Sequence, residues 1–376
     1  MDYFRVIRQN PNGWDDNGLE AAKTAAYDRC FEIIRTLLDK QADVNASREG
    51  SGTPLEMASH HGDLKIVKMI LEYGANVNIP GKYYGGPLKA ASNTGHEDIA
   101  LLLLDRGADF SSQDDIRGNL LNAASHGGSE KIVQMLIDKN VDVNIQVGMC
   151  DTALYAASLM GRERIVQMLI DEGADVNSKG RWLGSALQAA SYHGHEGIVQ
   201  MLLNNGADVN AQAGEYGNAL QAASYKGDEK IVEMLINSGA HVNSQGGKYG
   251  TALRGACCGG RGQIVKMLLQ SGADFSTLIS DYSHFLGEDN RGGFGTFWQV
   301  LTDMGADLNV ERGVLTGFLQ HASNSVPGCI ELMEKLVSLG ADVNPHAGGI
   351  LGNPLLAASI AGNQEAVQRL EMTRAS

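Results

Sequence analysis

A five-residue string, G-A-D-V-N with variants, begins at Gln41, Gly74, Gly107, Asn140, Gly173, Gly206, Gly239, Gly272, Gly305 and Gly340. Successive copies lie 33 residues apart eight times and then 35 apart. A second series, Leu55, Leu88, Leu121, Leu154, Leu187, Leu220 and Leu253, opens an L-x-x-A-S-like stretch at the same spacing. A fixed period of this length marks a solenoid, in which each unit packs only on its neighbours. It overrides the two or three compact domains that 376 residues would otherwise suggest.

One period shows how the unit is built. The stretch from Asn218 to Gly227 reads as a short helix whose small residues allow close approach, and Gly227 ends it in the left-handed conformation. Asp228 is suited to cap a second helix, with Glu229 in its first turn facing the dipole. Ile231, Val232, Leu235 and Ile236 form a one-sided apolar stripe along that helix. Gly239 closes it, and a Gly-rich hairpin spans Ser244 to Gly250. A single helix pair of this size cannot bury its stripe; stacked pairs can.

The pattern resembles the ankyrin repeat, carried by Thr53-Pro54-Leu55, Thr152-Ala153-Leu154, the mid-repeat glycine and the terminal G-A-D-V-N string. The wording at Gly184 to Ser191 and Gly217 to Ser224 is similar to ankyrin arrays of filamentous fungi, often appended to NACHT-type nucleotide-binding sensors. The resemblance implies an all-α repeat solenoid of stacked helix-turn-helix units joined by β-hairpin loops, about ten repeats plus caps. It spans a leader at 1–17, regular repeats over 18–275, a degenerate repeat at 276–305, and repeats with a two-residue insertion and a C-terminal cap over 306–376. The family's His after T-P-L is replaced by Glu56, Lys89, Asn122, Tyr155, Gln188, Gln221 and Arg254. No G-x-x-x-x-G-K-[ST] phosphate loop is present, so the array reads as stand-alone, without a NACHT domain.

Composition narrows the function classes. Lys and Arg number 30 against 44 Asp and Glu, a net charge of −14, and no basic run exists to track a phosphate backbone. Eight acidic charges belong to one turn position, Asp43, Asp109, Asp142, Asp175, Asp208, Asp274, Asp307 and Asp342, where the side chain accepts local backbone N–H bonds. Much of the acidity is thus architectural. The longest aliphatic stretch, Ile99 to Leu104, is far short of a membrane span. The five cysteines form no C-x-x-C pair and read as core residues of a reducing compartment, which points to an intracellular setting, cytoplasmic or nuclear. His60-His61 and His193-Gly194-His195 lack the further Cys or His that a tetrahedral metal site needs, and no cofactor is expected.

Two columns of residues stand out as a binding surface. The position after each repeat Leu and the one four residues on give Tyr155, Gln188, Tyr192, Gln221, Tyr225 and Arg254 on consecutive repeats. In the family architecture this strip faces the concave side, and Tyr and Arg are enriched at binding hot spots. The competing reading is a stacking consensus. The hairpin tips carry Tyr84, Trp182, Tyr216 and Tyr249, placed either to grip a partner or to pack tip against tip. Both columns predict a non-enzymatic scaffold for a protein or peptide partner. The alternative is a small-molecule or catalytic groove in the degenerate repeat, where Asp281, His284, Glu288 and Asp289 bring acids beside a His.

Overall fold

A computed structural model describes residues 31–46, 52–81, 84–109, 120–146, 152–180, 182–274, 354–360 and 362–375, together with Val300, Leu319, Val337 and Asp342. The chain divides into two units, one of residues 1–240 and 246–248 and another of 241–245 and 249–376. In the first unit, helix α1 (Phe31–Asp39) precedes six helix pairs among the described residues. They are α2 (Pro54–His61) with α3 (Leu64–Glu72), α4 (Pro87–Thr94) with α5 (Glu97–Asp105), and α6 (Leu120–Gly127) with α7 (Glu130–Asp138). Next come α8 (Ala153–Leu159) with α9 (Glu163–Asp171), α10 (Ala186–His193) with α11 (Glu196–Asn204), and α12 (Ala219–Lys226) with α13 (Glu229–Asn237). The second unit holds α14 (Ala252–Cys258) with α15 (Gly262–Gln270), and α16 (Pro354–Ile360) with α17 (Gln364–Ala375).

The sequence logic of one period is realised atom by atom. Asn218 caps α12 by accepting from Gln221 N, while the Gln221 side chain accepts from Asn218 N, a reciprocal capping box. Gly227 ends the helix at φ 100°, and its amide donates to Ala223 O. The Asp228 carboxylate accepts from Ile231 N at 3.0 Å to start α13. Ile231, Val232 and Leu235 are fully buried, whereas Ile236 at the edge of the stripe is only half-buried. Truncating a core leucine such as Leu235 removes about 2–5 kcal/mol from such packing. Where the second-helix glycine is replaced, Gln41 and Asn140 still adopt φ 63° and 56°, so the turn geometry outranks the residue preference.

First helices of successive repeats pack closely in the first unit, where they carry Ala-Ala-Ser, or Met57-Ala58-Ser59 in α2. The serines of that triplet, Ser59, Ser92, Ser125, Ser158, Ser191 and Ser224, are fully buried, and each Oγ is without a hydrogen-bond partner. One period on, in the second unit, the equivalent place is taken by Cys257, a buried free thiol.

The terminal Asn of the repeat string joins neighbouring repeats. Asn78 Oδ1 accepts from Asp109 N at 2.7 Å and its Nδ2 donates to Gly107 O at 3.1 Å. Asn144 repeats both bonds to Asp175 and Gly173. The Asp of the string plays the local part expected of it: Asp142, Asp175 and Asp208 each accept, at 2.9 Å, from the amide two residues on. The expected β-hairpins reduce, among the described residues, to isolated antiparallel bridges, Lys179 with Ser185 and Ala213 with Gly217. Their arms are too short for a ladder, with Gly214 and Gly217 at positive φ in the second loop.

Candidate functional site

At Tyr155, Gln188 and Gln221 the position after the repeat Leu is not a surface. Tyr155, Gln188 and Gln221 are 3, 2 and 1% exposed, which removes them from the binding strip that their spacing suggested. Each lies in the first turn of its helix and reaches into the loop of the following repeat. The Gln188 amide donates to Ala213 O at 2.9 Å and Gly217 O at 2.7 Å, while its Oε1 accepts from Ser185 N. Gln221 donates to Gly246 O at 3.1 Å. Tyr155 Oη accepts from Leu183 N at 3.3 Å. Glu56 does the same job with the polarity reversed, its carboxylate accepting from Tyr84 N and Gly86 N at 3.0 and 3.2 Å. The physical reason is common to all: loop peptide groups buried against a helix need partners, and a long polar side chain from the preceding repeat supplies them. Arg254, in the second unit, is half-buried, with its amide donating to Thr251 Oγ1.

The residue four places on does reach solvent, and the hairpin-tip aromatic folds back onto it. Tyr216, from the loop before α12, packs 4.6 Å from the Tyr192 ring at the end of α10 and 5.7 Å from the Tyr225 ring of α12. Tyr216 Oη donates to Tyr192 Oη at 3.1 Å. The Lys226 ammonium lies 4.5 Å from the centre of the Tyr192 ring, a cation–π contact. Tyr84 uses the same offset, stacking 4.0 Å from the His60 ring with its hydroxyl 3.1 Å from Nε2. The two columns separated in the sequence therefore meet at Tyr192 with Tyr216 and at His60 with Tyr84. Neighbouring tips touch without their aromatic rings: Glu215 N donates to Trp182 O at 2.9 Å and Lys248 N to Glu215 O at 2.7 Å. Trp182 has no such packing and stands 68% exposed; Tyr249, in the second unit, is half-buried.

Burial raises the Tyr216 phenol above its ordinary pKa, reinforced by its bond to Tyr192, so it remains a neutral donor. His193 is held below 6.5 by burial, then by His195 and Lys226. His195 itself bonds back to Leu159 O at 3.2 Å, closing the end of α8. Among the described residues no group of three His, Cys, Asp or Glu is placed to hold a metal ion. No helix there is long and apolar enough to cross a membrane. Asp281, His284, Glu288 and Asp289 lie outside the described residues.

The family model "Ankyrin repeats (3 copies)" matches residues 4–81, 87–180, 120–213 and 187–278. No curated protein matches the chain. Among solved structures 517 chains match, one of them the crystal structure of the human ASB11 ankyrin repeat domain. It is 25% identical, covers 58% of this chain and 98% of that chain, and has a TM-score of 0.48. With its family model spread over more than half of its length and its helix pairs stacked at the repeat spacing, the chain belongs to the ankyrin repeat family.

Proposed function

We propose that this protein is a non-enzymatic recognition scaffold that binds a protein or peptide segment on the aromatic face formed by Tyr192, Tyr216 and Tyr225, with Trp182 beside it. One observation carries the reading. Three tyrosines from two helices and a loop are gathered at a solvent-reaching face and locked by the Tyr216–Tyr192 hydrogen bond. Rigid aromatics present contact area at low entropic cost, the property that concentrates binding energy in hot spots. Capture from the protein's own cell extract, repeated with Tyr192→Ala and Tyr225→Ala, tests it. Each substitution is expected to weaken binding by more than about 1 kcal/mol while the melting temperature holds. Unchanged affinity with a collapsed melting temperature would return the tyrosines to a purely structural role.

The same reading takes the whole chain as about ten repeats joined by hairpin loops, with a leader at 1–17, regular repeats over 18–275, a degenerate repeat at 276–305 and a capped end over 306–376. Continuation of the terminal string at Gly272, Gly305 and Gly340 supports this count. The G-N-A-L-Q-A-A-S wording of Gly217 to Ser224 supports kinship with fungal arrays. Free thiols at Cys257 and Cys258 suit an intracellular, cytoplasmic or nuclear, setting.

A further inference from the structure

Beside Tyr192 this acidic molecule presents an ammonium, Lys226, with imidazoles around it. The chain carries a net −14, yet the groups gathered at this ring are basic. The Lys226 ammonium stands 4.5 Å over its face, the His193 imidazole packs edge-on at 5.0 Å, and the His195 ring stacks 6.1 Å from that of His193. Carboxylates on the adjoining elements are engaged elsewhere. Glu215 pairs with Lys248 at 3.5 Å and Glu196 pairs with Lys230 at 3.2 Å, while Asp228 caps Ile231 N through Oδ1 and keeps Oδ2 beside Gly194. His195 is itself committed to Leu159 O, which leaves Lys226 and His193, both exposed, as the groups turned to solvent.

Resting on the recognition reading above, we propose that the segment bound on this face is an acidic peptide, with an Asp or Glu carboxylate seated between Lys226 and His193 and an aromatic or apolar side chain against Tyr216 and Tyr225. Complementarity of this kind fixes register more than raw affinity: an acidic segment is repelled by a molecule of net −14 and meets opposite charge at this cluster. A nucleic-acid strand fits poorly, because phosphate tracking needs a row of cations and this face offers one lysine flanked by histidines.

The test is selection of a random peptide display library on the full chain, run in parallel on Lys226→Glu, Lys226→Arg and the double variant Tyr192→Ala/Tyr225→Ala. Peptides enriched on the unaltered protein are expected to carry Asp or Glu next to an aromatic or apolar residue. A synthetic copy of the most enriched one should bind roughly tenfold more weakly to Lys226→Glu and nearly unchanged to Lys226→Arg. Lys226 is exposed, so the thermal melt of Lys226→Glu is expected to match that of the unaltered protein. Enriched peptides that are neutral or basic, yet lost on the double Tyr variant, overturn the acidic partner and leave the aromatic face standing. Enrichment that is absent, or that survives the double Tyr variant, overturns both. Displacement of the peptide by a single-stranded oligonucleotide would assign the cluster to phosphate and overturn the acidic peptide.

Discussion

Asn177 is bonded to Asp208 across a repeat boundary: the Asn177 side-chain oxygen accepts the Asp208 amide at 2.7 Å. The same carboxamide donates to Gly206 O at 3.1 Å, so one side chain satisfies both a donor and an acceptor of the next turn. The turn that Asp208 itself organises, through its bond to Asn210 N, is thus held from outside as well as from within. Neighbouring second helices are tied at their C-terminal ends without any apolar contact being required.

Replacing Asn177 by Ala removes both bonds and is expected to cost about 1–3 kcal/mol, since exposed waters can serve the freed groups only in part. Urea denaturation followed by circular dichroism reads this loss. Asn177→Asp keeps the acceptor and loses the donor, so it should fall between the two.

Gln188→Glu replaces a donor with a charge directly opposite two carbonyl oxygens, at a position 2% exposed. A destabilisation of about 2–4 kcal/mol is expected, by the cost of an unpaired buried charge. Hydrogen exchange should show the added opening first in the 211–218 loop.

Ser191→Ala is expected to raise stability by up to about 1 kcal/mol, because its hydroxyl is buried without a partner and its removal relieves a desolvation cost. Cys257 at the matching place shows that the packing tolerates a weakly polar group there. A melting temperature lowered by the substitution would mean that the serines bond in a way this geometry does not contain.

The helix pairs were legible because their signals are local. A glycine follows the first helix, apolar spacing marks the second, and at Asp63 and Asp228 a side chain caps its start, all within a single period. What escaped were the relations between periods. Asn177 reads as a turn residue because its partner lies 31 positions away. Gln188 reads as surface because a polar residue in a helix's first turn usually is; its head turns inward only because the next loop has bare carbonyls. Tyr192 and Tyr216 fell in separate columns, although their offset of 24 residues equals that of His60 and Tyr84.

His60 and His193 are both depressed below 6.5, by burial first, then by His61 and His96 in one case and His195 and Lys226 in the other. The unfolded chain therefore takes up more protons than the folded one just below 6.5. Their contribution is complete above 6.5 and is lost as pH falls toward the folded values. Melting temperatures recorded from about pH 7.5 to about pH 5 should decline less for His60→Gln/His193→Gln than for the unaltered protein.

The junction bonds described for Asn78, Asn144 and Asn177 have matching spans and lengths. The cut edges at these three junctions are therefore chemically interchangeable. Excising or duplicating one whole period rejoins an Asn to an Asp and a Gly at the usual reach, whereas a deletion of any other length strands both. The array's length is thereby free to change by recombination in whole periods wherever the added period ends in such an Asn, which brings its own fastening with it.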